Sequence, residues 1–173
     1  MKKQDTSENL ANLAYLAIGS NLGNKINNIG IAKLELERYK IQILKSSSNY
    51  LSESWPDRSM PKYINIIIKI KTSLTPLELL KICNLIESKL GRVKSKKNAP
   101  RTCDIDIIDF NKMIIHENNW KLILPHPRMN KRNFVLLPLF EIEKSWKHPK
   151  SKVNIANLIS SLPIKDLRSI KQS

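Results

Sequence analysis

No uncharged apolar run in this chain is long enough to cross a bilayer, and the opening Met1-Lys2-Lys3-Gln4-Asp5 leads into no signal-like block. The expectation is a cytoplasmic protein without a membrane partner. Cysteine is scarce: Cys83 and Cys103 lack metal-site spacing and read as buried thiols, not as a disulfide or a catalytic pair. The segment Gly19-Ser20-Asn21-Leu22-Gly23-Asn24 lacks the lysine-serine or lysine-threonine ending and the glycine spacing of the common phosphate loop, so it is read as a turn. Aromatic residues make up only 6% of the chain, with no ladder for stacking bases and no continuous arginine-rich arm. Acids are outnumbered, 15 against 30 basic residues, for a net charge of +15. The lysines are scattered among isoleucine and asparagine, so the charge welcomes an anionic ligand without naming one.

What remains is a globular composition, 41% hydrophobic over 173 residues, most simply one domain. The expected layout is a polar tail over 1–12, one domain over 13–162 and a C-terminal tail over 163–173. Leu13 to Ile18 reads as a buried strand, Ile26 to Glu37 as a helix, Ile41 to Tyr50 as a strand and Leu51 to Pro61 as a loop. Within that loop Trp55 reads equally as a lid or as a hydrophobic plug. Tyr63 to Lys71 alternates as a β-branched strand, with Tyr63, Asn65 and Ile67 on one face and Ile64, Ile66 and Ile68 on the other. Thr75-Pro76-Leu77-Glu78 has the residues of a capping box, and Leu79, Ile82, Cys83, Ile86 and Leu90 follow at helical spacing up to Gly91. A purely structural account takes Glu87 as an exposed helical acid. Beyond Asn111 the sequence suggests a return strand over His116–Leu122, a helix over Arg132–Glu141 disturbed by Pro138, and a short helix over Asn154–Ile159. Trp120 and Trp146 read as packing or surface-edge residues.

The chain is organised around Pro100-Arg101-Thr102-Cys103-Asp104-Ile105-Asp106-Ile107-Ile108-Asp109-Phe110. In a strand, Asp104 and Asp106 share one face while Ile105 and Ile107 take the other. Two carboxylates at that spacing repel unless a cation lies between them. Magnesium fits, because it is usually held by one or two carboxylates together with substrate phosphates. A solvated strand face with two unrelated acids is the plainer reading. Asp109 falls on the other parity and receives no metal role. Arg92, Lys94, Lys96, Lys97 and Arg101 lead into the acids, a second basic group holds His126, Arg128, Lys131 and Arg132, and both would suit a polyphosphate. The order strand, helix, strand, strand, helix, strand matches a split β-α-β sandwich with an antiparallel sheet and two helices on one face. A metal-dependent phosphotransferase leads, against a basic nucleic-acid-binding domain or a metal-dependent nuclease on the same kind of sheet.

Taken together, several segments resemble the 6-hydroxymethyl-7,8-dihydropterin pyrophosphokinases of folate biosynthesis. They are Ala17-Ile18-Gly19-Ser20-Asn21-Leu22-Gly23, Ser47-Ser48-Asn49-Tyr50, Tyr63-Ile64-Asn65, Gly91-Arg92-Val93, Pro100 to Asp106, and Pro125-His126-Pro127-Arg128-Met129 through Phe134. The resemblance implies an α+β, ferredoxin-like fold with additional C-terminal strand and helix elements. It implies transfer of pyrophosphate from ATP to the pterin hydroxymethyl group, with two magnesium ions on Asp104 and Asp106. Catalytic roles would fall to Arg92, Arg101, Asp104 and Asp106, and ATP contacts to Arg92, Lys94, Lys97, Arg101, His126 and Arg132. Ser52, Glu53, Trp55, Tyr63, Asn65 and Phe134 would surround the pterin, Tyr63 and Phe134 sandwiching its rings. Asn98-Ala99 stands where relatives can carry Trp-Gly. A monomer needing no nucleic acid, and no fused neighbouring folate-pathway domain, complete the expectation.

Overall fold

The computed structural model describes residues 11–54, 57–92, 99–117 and 122–173. Its main sheet is built on β1 (Asn12–Ser20), which pairs antiparallel with β4 (Tyr63–Thr72) on one side and β5 (Asp104–Phe110) on the other. Two short strands, β2 (Gln42–Ser46) and β3 (Tyr50–Ser52), share the far edge of β4. Helix α1 (Lys25–Arg38) links β1 to β2, and α2 (Pro76–Lys89) links β4 to β5. This is the split β-α-β arrangement expected from the sequence.

Alternation decides the two faces. Ile64, Ile66, Ile68 and Ile70 of β4 join Leu16, Ile18, Ile105 and Ile107 in a core against α1 and α2 that also takes up Cys83. Each such side chain, fully buried, contributes about 1.5–3 kcal/mol. Helix α2 starts with the expected capping box, in which Thr75 and Glu78 exchange hydrogen bonds.

On the other face, Tyr15, Ile67 and Ile108 pack under α3 (Asn133–Ile142) and α4 (Ile155–Ser160). Pro138 lies inside α3 yet does not end it. Its ring costs about 3 kcal/mol in a helix interior. Val135, Leu136 and Leu139, all fully buried, each return about 1.5–3 kcal/mol, so packing wins. Two acids fasten the end of α3: Glu143 takes Lys69 Nζ at 2.7 Å, and Glu141 takes Tyr50 OH at 2.9 Å.

Four expectations need correction. Gly19 and Ser20 are not a turn but the last residues of β1, paired with Asn65 and Ile64. Leu51 and Ser52 belong to β3 because they pair with Ile64 and Tyr63. The return strand is instead a separate two-stranded sheet of β6 (Ile115–Glu117) and β7 (Leu122–Leu124). Residues beyond Leu162, where no element was read, form α5 (Ile164–Arg168) and β8 (Lys171–Gln172), the latter pairing with β3. No described helix is long and apolar enough to cross a membrane.

Candidate active site

A cleft of about 230 Å³ opens on the α3 face, at the end of the sheet where β1, β4 and β5 lie side by side. Register builds its floor. Gly19 stands between Asn65 on β4 and Asp104 on β5; one pair further along, Ala17 stands between Ile67 and Asp106. The central strand thus presents its two smallest side-chain positions where the flanking strands present the acids and the amide. At Gly19 any Cβ would meet Asn65 Oδ1 at 2.8 Å and Tyr63 Cδ1 at 3.4 Å, so glycine is needed for close approach inside a strand.

Both acids face the cleft, and each is held by cations. Asp104 Oδ1 takes Arg92 Nη1 at 3.0 Å and Arg101 Nη1 at 3.1 Å. Asp106 Oδ2 takes Arg132 Nη1 at 3.0 Å, with His126 Nε2 at 3.6 Å. His126 Nδ1 accepts a hydrogen bond from the Arg128 backbone N–H, which turns Nε2 toward Asp106. Burial pushes the His126 imidazole below its usual range, so the ring is neutral near pH 7. Arg132 also lies over the Phe134 ring, 5.4 Å from its centroid, and joins the acidic end of the cleft to its aromatic side.

Ser52, Glu53, Tyr63, Asn65 and Phe134, the described members of the expected pterin set, all line this cleft. Tyr63 rises from the sheet and Phe134 from α3. Asn65 Nδ2 donates to Ser52 Oγ at 2.9 Å, which orients the amide, and Glu53 is paired with Lys62 at 2.8 Å. Trp55, Lys94, Lys96, Lys97 and Trp120 lie outside the described residues.

The sequence reading missed three contributors. Arg128, grouped with the second basic cluster but given no site role of its own, lines the cleft. Asn21 is buried; its Oδ1 accepts from Arg101 N at 2.8 Å and its Nδ2 donates to Pro61 O at 3.1 Å, tying two walls together. Glu87 is not an exposed acid, being 5% accessible. Helical spacing sets it on the buried stripe, four residues after Cys83, but its charge argued for the surface; α2 packs its last turns against the open edge of β5. There Glu87 accepts the Ile105 N–H at 2.7 Å and pairs with Arg92, while burial pushes its carboxyl up to about 7.

Asp109 belongs to the fold instead. The β1–β5 register slips between Tyr15 and Leu16, leaving Ile108 as an extra residue. The bulge moves Asp109 to the α3 face, where buried Trp146 Nε1 donates to it at 2.8 Å.

Among the described residues, no group of three or more His, Cys, Asp or Glu stands together to hold a metal. A pair of aspartates in a polar cleft rimmed by arginines nevertheless fits magnesium, whose remaining ligands are ordinarily water and phosphate oxygens.

Similarity to known proteins agrees with this geometry. The chain is 40% identical over 132 residues to the 2-amino-4-hydroxy-6-hydroxymethyldihydropteridine pyrophosphokinase of Bacillus subtilis, covering 76% of this chain and 78% of that protein. A folic acid synthesis protein of Pneumocystis carinii is 36% identical over 170 residues, 98% of this chain but 22% of its own length. A Plasmodium falciparum HPPK-DHPS crystal structure shares the fold at a TM-score of 0.74 and 17% identity, across 96% of this chain and 48% of that one. The chain therefore spans about a fifth of the Pneumocystis carinii relative and about half of the Plasmodium chain. Residues 15–144 match the family profile itself, and the chain belongs to the 7,8-dihydro-6-hydroxymethylpterin-pyrophosphokinase (HPPK) family.

Proposed function

We propose that this chain transfers the β,γ-pyrophosphoryl group of ATP to the hydroxymethyl oxygen of 6-hydroxymethyl-7,8-dihydropterin, giving AMP and the pterin diphosphate. The observation that carries the reading is one cleft lined by Asp104, Asp106 and four arginines together with Tyr63, Asn65 and Phe134. A triphosphate matches the charged set and a flat, hydrogen-bonding heterocycle the aromatic and amide set.

Asp104 and Asp106 would hold two magnesium ions, which when bound supply charge neutralisation at the phosphate oxygens. Tyr63 and Phe134 flank the pterin rings, and the Asn65 amide offers a donor and an acceptor to their polar edge. That placement sets the hydroxymethyl oxygen in line with the β-phosphorus. The new bond joins that oxygen to the β-phosphorus, the bond to the α-phosphate oxygen breaks, AMP leaves with its electron pair and the hydroxyl proton is released. Arg92, Arg101 and Arg132 turn from the aspartates to the phosphates, and His126 adds an N–H donor. Positioning and electrostatics supply the acceleration, so no general base is assigned. ATP as donor suits the cytoplasm.

The test is to mix protein, ATP, magnesium and the pterin and to separate the nucleotides. Pterin-dependent AMP with matching pterin diphosphate is expected. ADP would keep phosphoryl transfer and reject pyrophosphoryl transfer. Neither product, from folded protein that binds RNA tightly, would put a basic nucleic-acid-binding domain first.

A further inference from the structure

We infer that Glu87 is a positioning residue for this transfer, acting through Arg92. The inference rests on the proposed reaction and adds a residue to it.

Both the backbone and the side chain of Glu87 hold Arg92. Just past the end of α2 and its cap Leu90, Gly91 with a φ of +84° turns the chain back so that Arg92 N donates to Glu87 O at 3.0 Å. The Arg92 guanidinium then folds onto the Glu87 carboxylate and reaches Asp104 Oδ1 at 3.0 Å with the same Nη1. The other carboxylate oxygen takes Ile105 N at 2.7 Å, on the edge of β5 that β1 does not cover, between the two aspartates. One side chain therefore sets both the arginine and the strand carrying the acids.

Satisfying the Ile105 N–H alone needs no charge, since a glutamine oxygen accepts equally well. Burying a carboxylate costs several kcal/mol unless it is paired. In its ionised form it pairs with Arg92, which lines the cleft with about a third of its side chain exposed. Without that anchor the long arginine side chain regains its rotamer freedom, and the ordering must be supplied at each turnover.

Glu87→Gln keeps the Ile105 contact through its single oxygen and then turns an amide NH2, a donor, against Arg92. The experiment is a double-mutant cycle of Glu87→Gln and Arg92→Ala, read as kcat, as the KM for each substrate and as the affinity for magnesium-ATP by calorimetry. Arg92→Lys replaces Arg92→Ala if the latter fails to fold. Expected is a fall in kcat of about tenfold for Glu87→Gln alone, with pterin KM within about twofold, and less than about a twofold further fall when Arg92 is already absent. An equal fall in both backgrounds, or a lowered melting temperature with kcat unchanged, overturns the inference. Wild-type protein that makes no pterin diphosphate would remove the proposed reaction. The nucleotide-affinity cycle would then still decide the inference: Glu87→Gln weakening magnesium-ATP binding only when Arg92 is present upholds the coupling, and equal weakening in both backgrounds rejects it.

Discussion

Gly19→Ala adds one methyl group to the floor of the cleft, and the expected loss follows from distances. The residue is in a β-strand without positive φ, so alanine is admissible to the backbone and the effect is steric. The new Cβ would lie 2.8 Å from Asn65 Oδ1, so the amide must recede by about 0.6 Å to reach ordinary contact. Asn65 is tied to Ser52 Oγ at 2.9 Å and Tyr63 stands beside it at 3.4 Å from the Cβ, so there is no slack on either side. Stretching the Asn65–Ser52 bond costs about 1 kcal/mol, and overpacking adds about 1–3 kcal/mol. The better strand propensity of alanine returns only about 0.5–1 kcal/mol. Two displaced hydrogen bonds from Asn65 to the pterin, each worth about 0.5–1.5 kcal/mol, amount to roughly a tenfold to hundredfold loss of pterin affinity. Calorimetric titration of the pterin, with magnesium and a non-hydrolysable ATP analogue present, measures it, and a thermal melt reports the fold. Pterin affinity within twofold of wild type, in a folded protein, would refute both the crowding argument and the placing of Asn65 against the pterin.

Asp106→Ala should leave folding largely intact, because the side chain is 36% exposed, and should cut magnesium-dependent turnover by at least about a thousandfold, or ~4 kcal/mol; near-normal rates would remove the metal assignment. Arg101→Ala should lower kcat far more than pterin affinity, and the reverse pattern in steady-state kinetics would reject its phosphate role. Trp146→Phe deprives buried Asp109 of its indole donor and should cost about 1.5–3 kcal/mol in urea unfolding, with kcat little changed; an unaltered midpoint would show that the bond is dispensable. Glu143 is held down to about 2 by its hydrogen bonds from Lys69 and Ser145. A depressed folded-state pKa adds stability above the ordinary carboxyl range and loses it as pH falls. Wild type should therefore exceed Glu143→Gln by about 1 kcal/mol at pH 7, after discounting for solvent screening, and the gap should close between pH 4.5 and about 2; a gap independent of pH would contradict the ion-pair origin.

The sites most legible in the sequence were those where local pattern and tertiary role coincide. Asp104 and Asp106 announced a shared face through the isoleucines between and after them, and Tyr63 and Asn65 did the same on β4. Thr75 to Glu78 specified the start of α2 without any help from packing. Pattern misled where long-range pairing overrode a local signal. Gly19 reads as a chain breaker, yet β4 and β5 clamp it into a ladder from both sides. Ile108 looks like an ordinary member of an alternating strand, but the bulge at that point reverses the parity of Asp109 and delivers it to Trp146. Glu87 shares the buried stripe with Cys83 by spacing, yet its charge argues for the surface until the edge of β5, with the Ile105 N–H to satisfy, is placed against α2.

The sequence by itself therefore determined the alternation, the helix starts and the chemistry on offer: paired carboxylates, a surplus of cations, and a few aromatic and amide side chains. Those follow from interactions a few residues apart, which leave a period and a spacing. Only the tertiary structure decided which cation meets which acid, why two small residues occupy β1 between them, and that a buried glutamate stands behind Arg92. Such pairings join residues distant along the chain, and their geometry is set by strand register and helix packing, which no local spacing records.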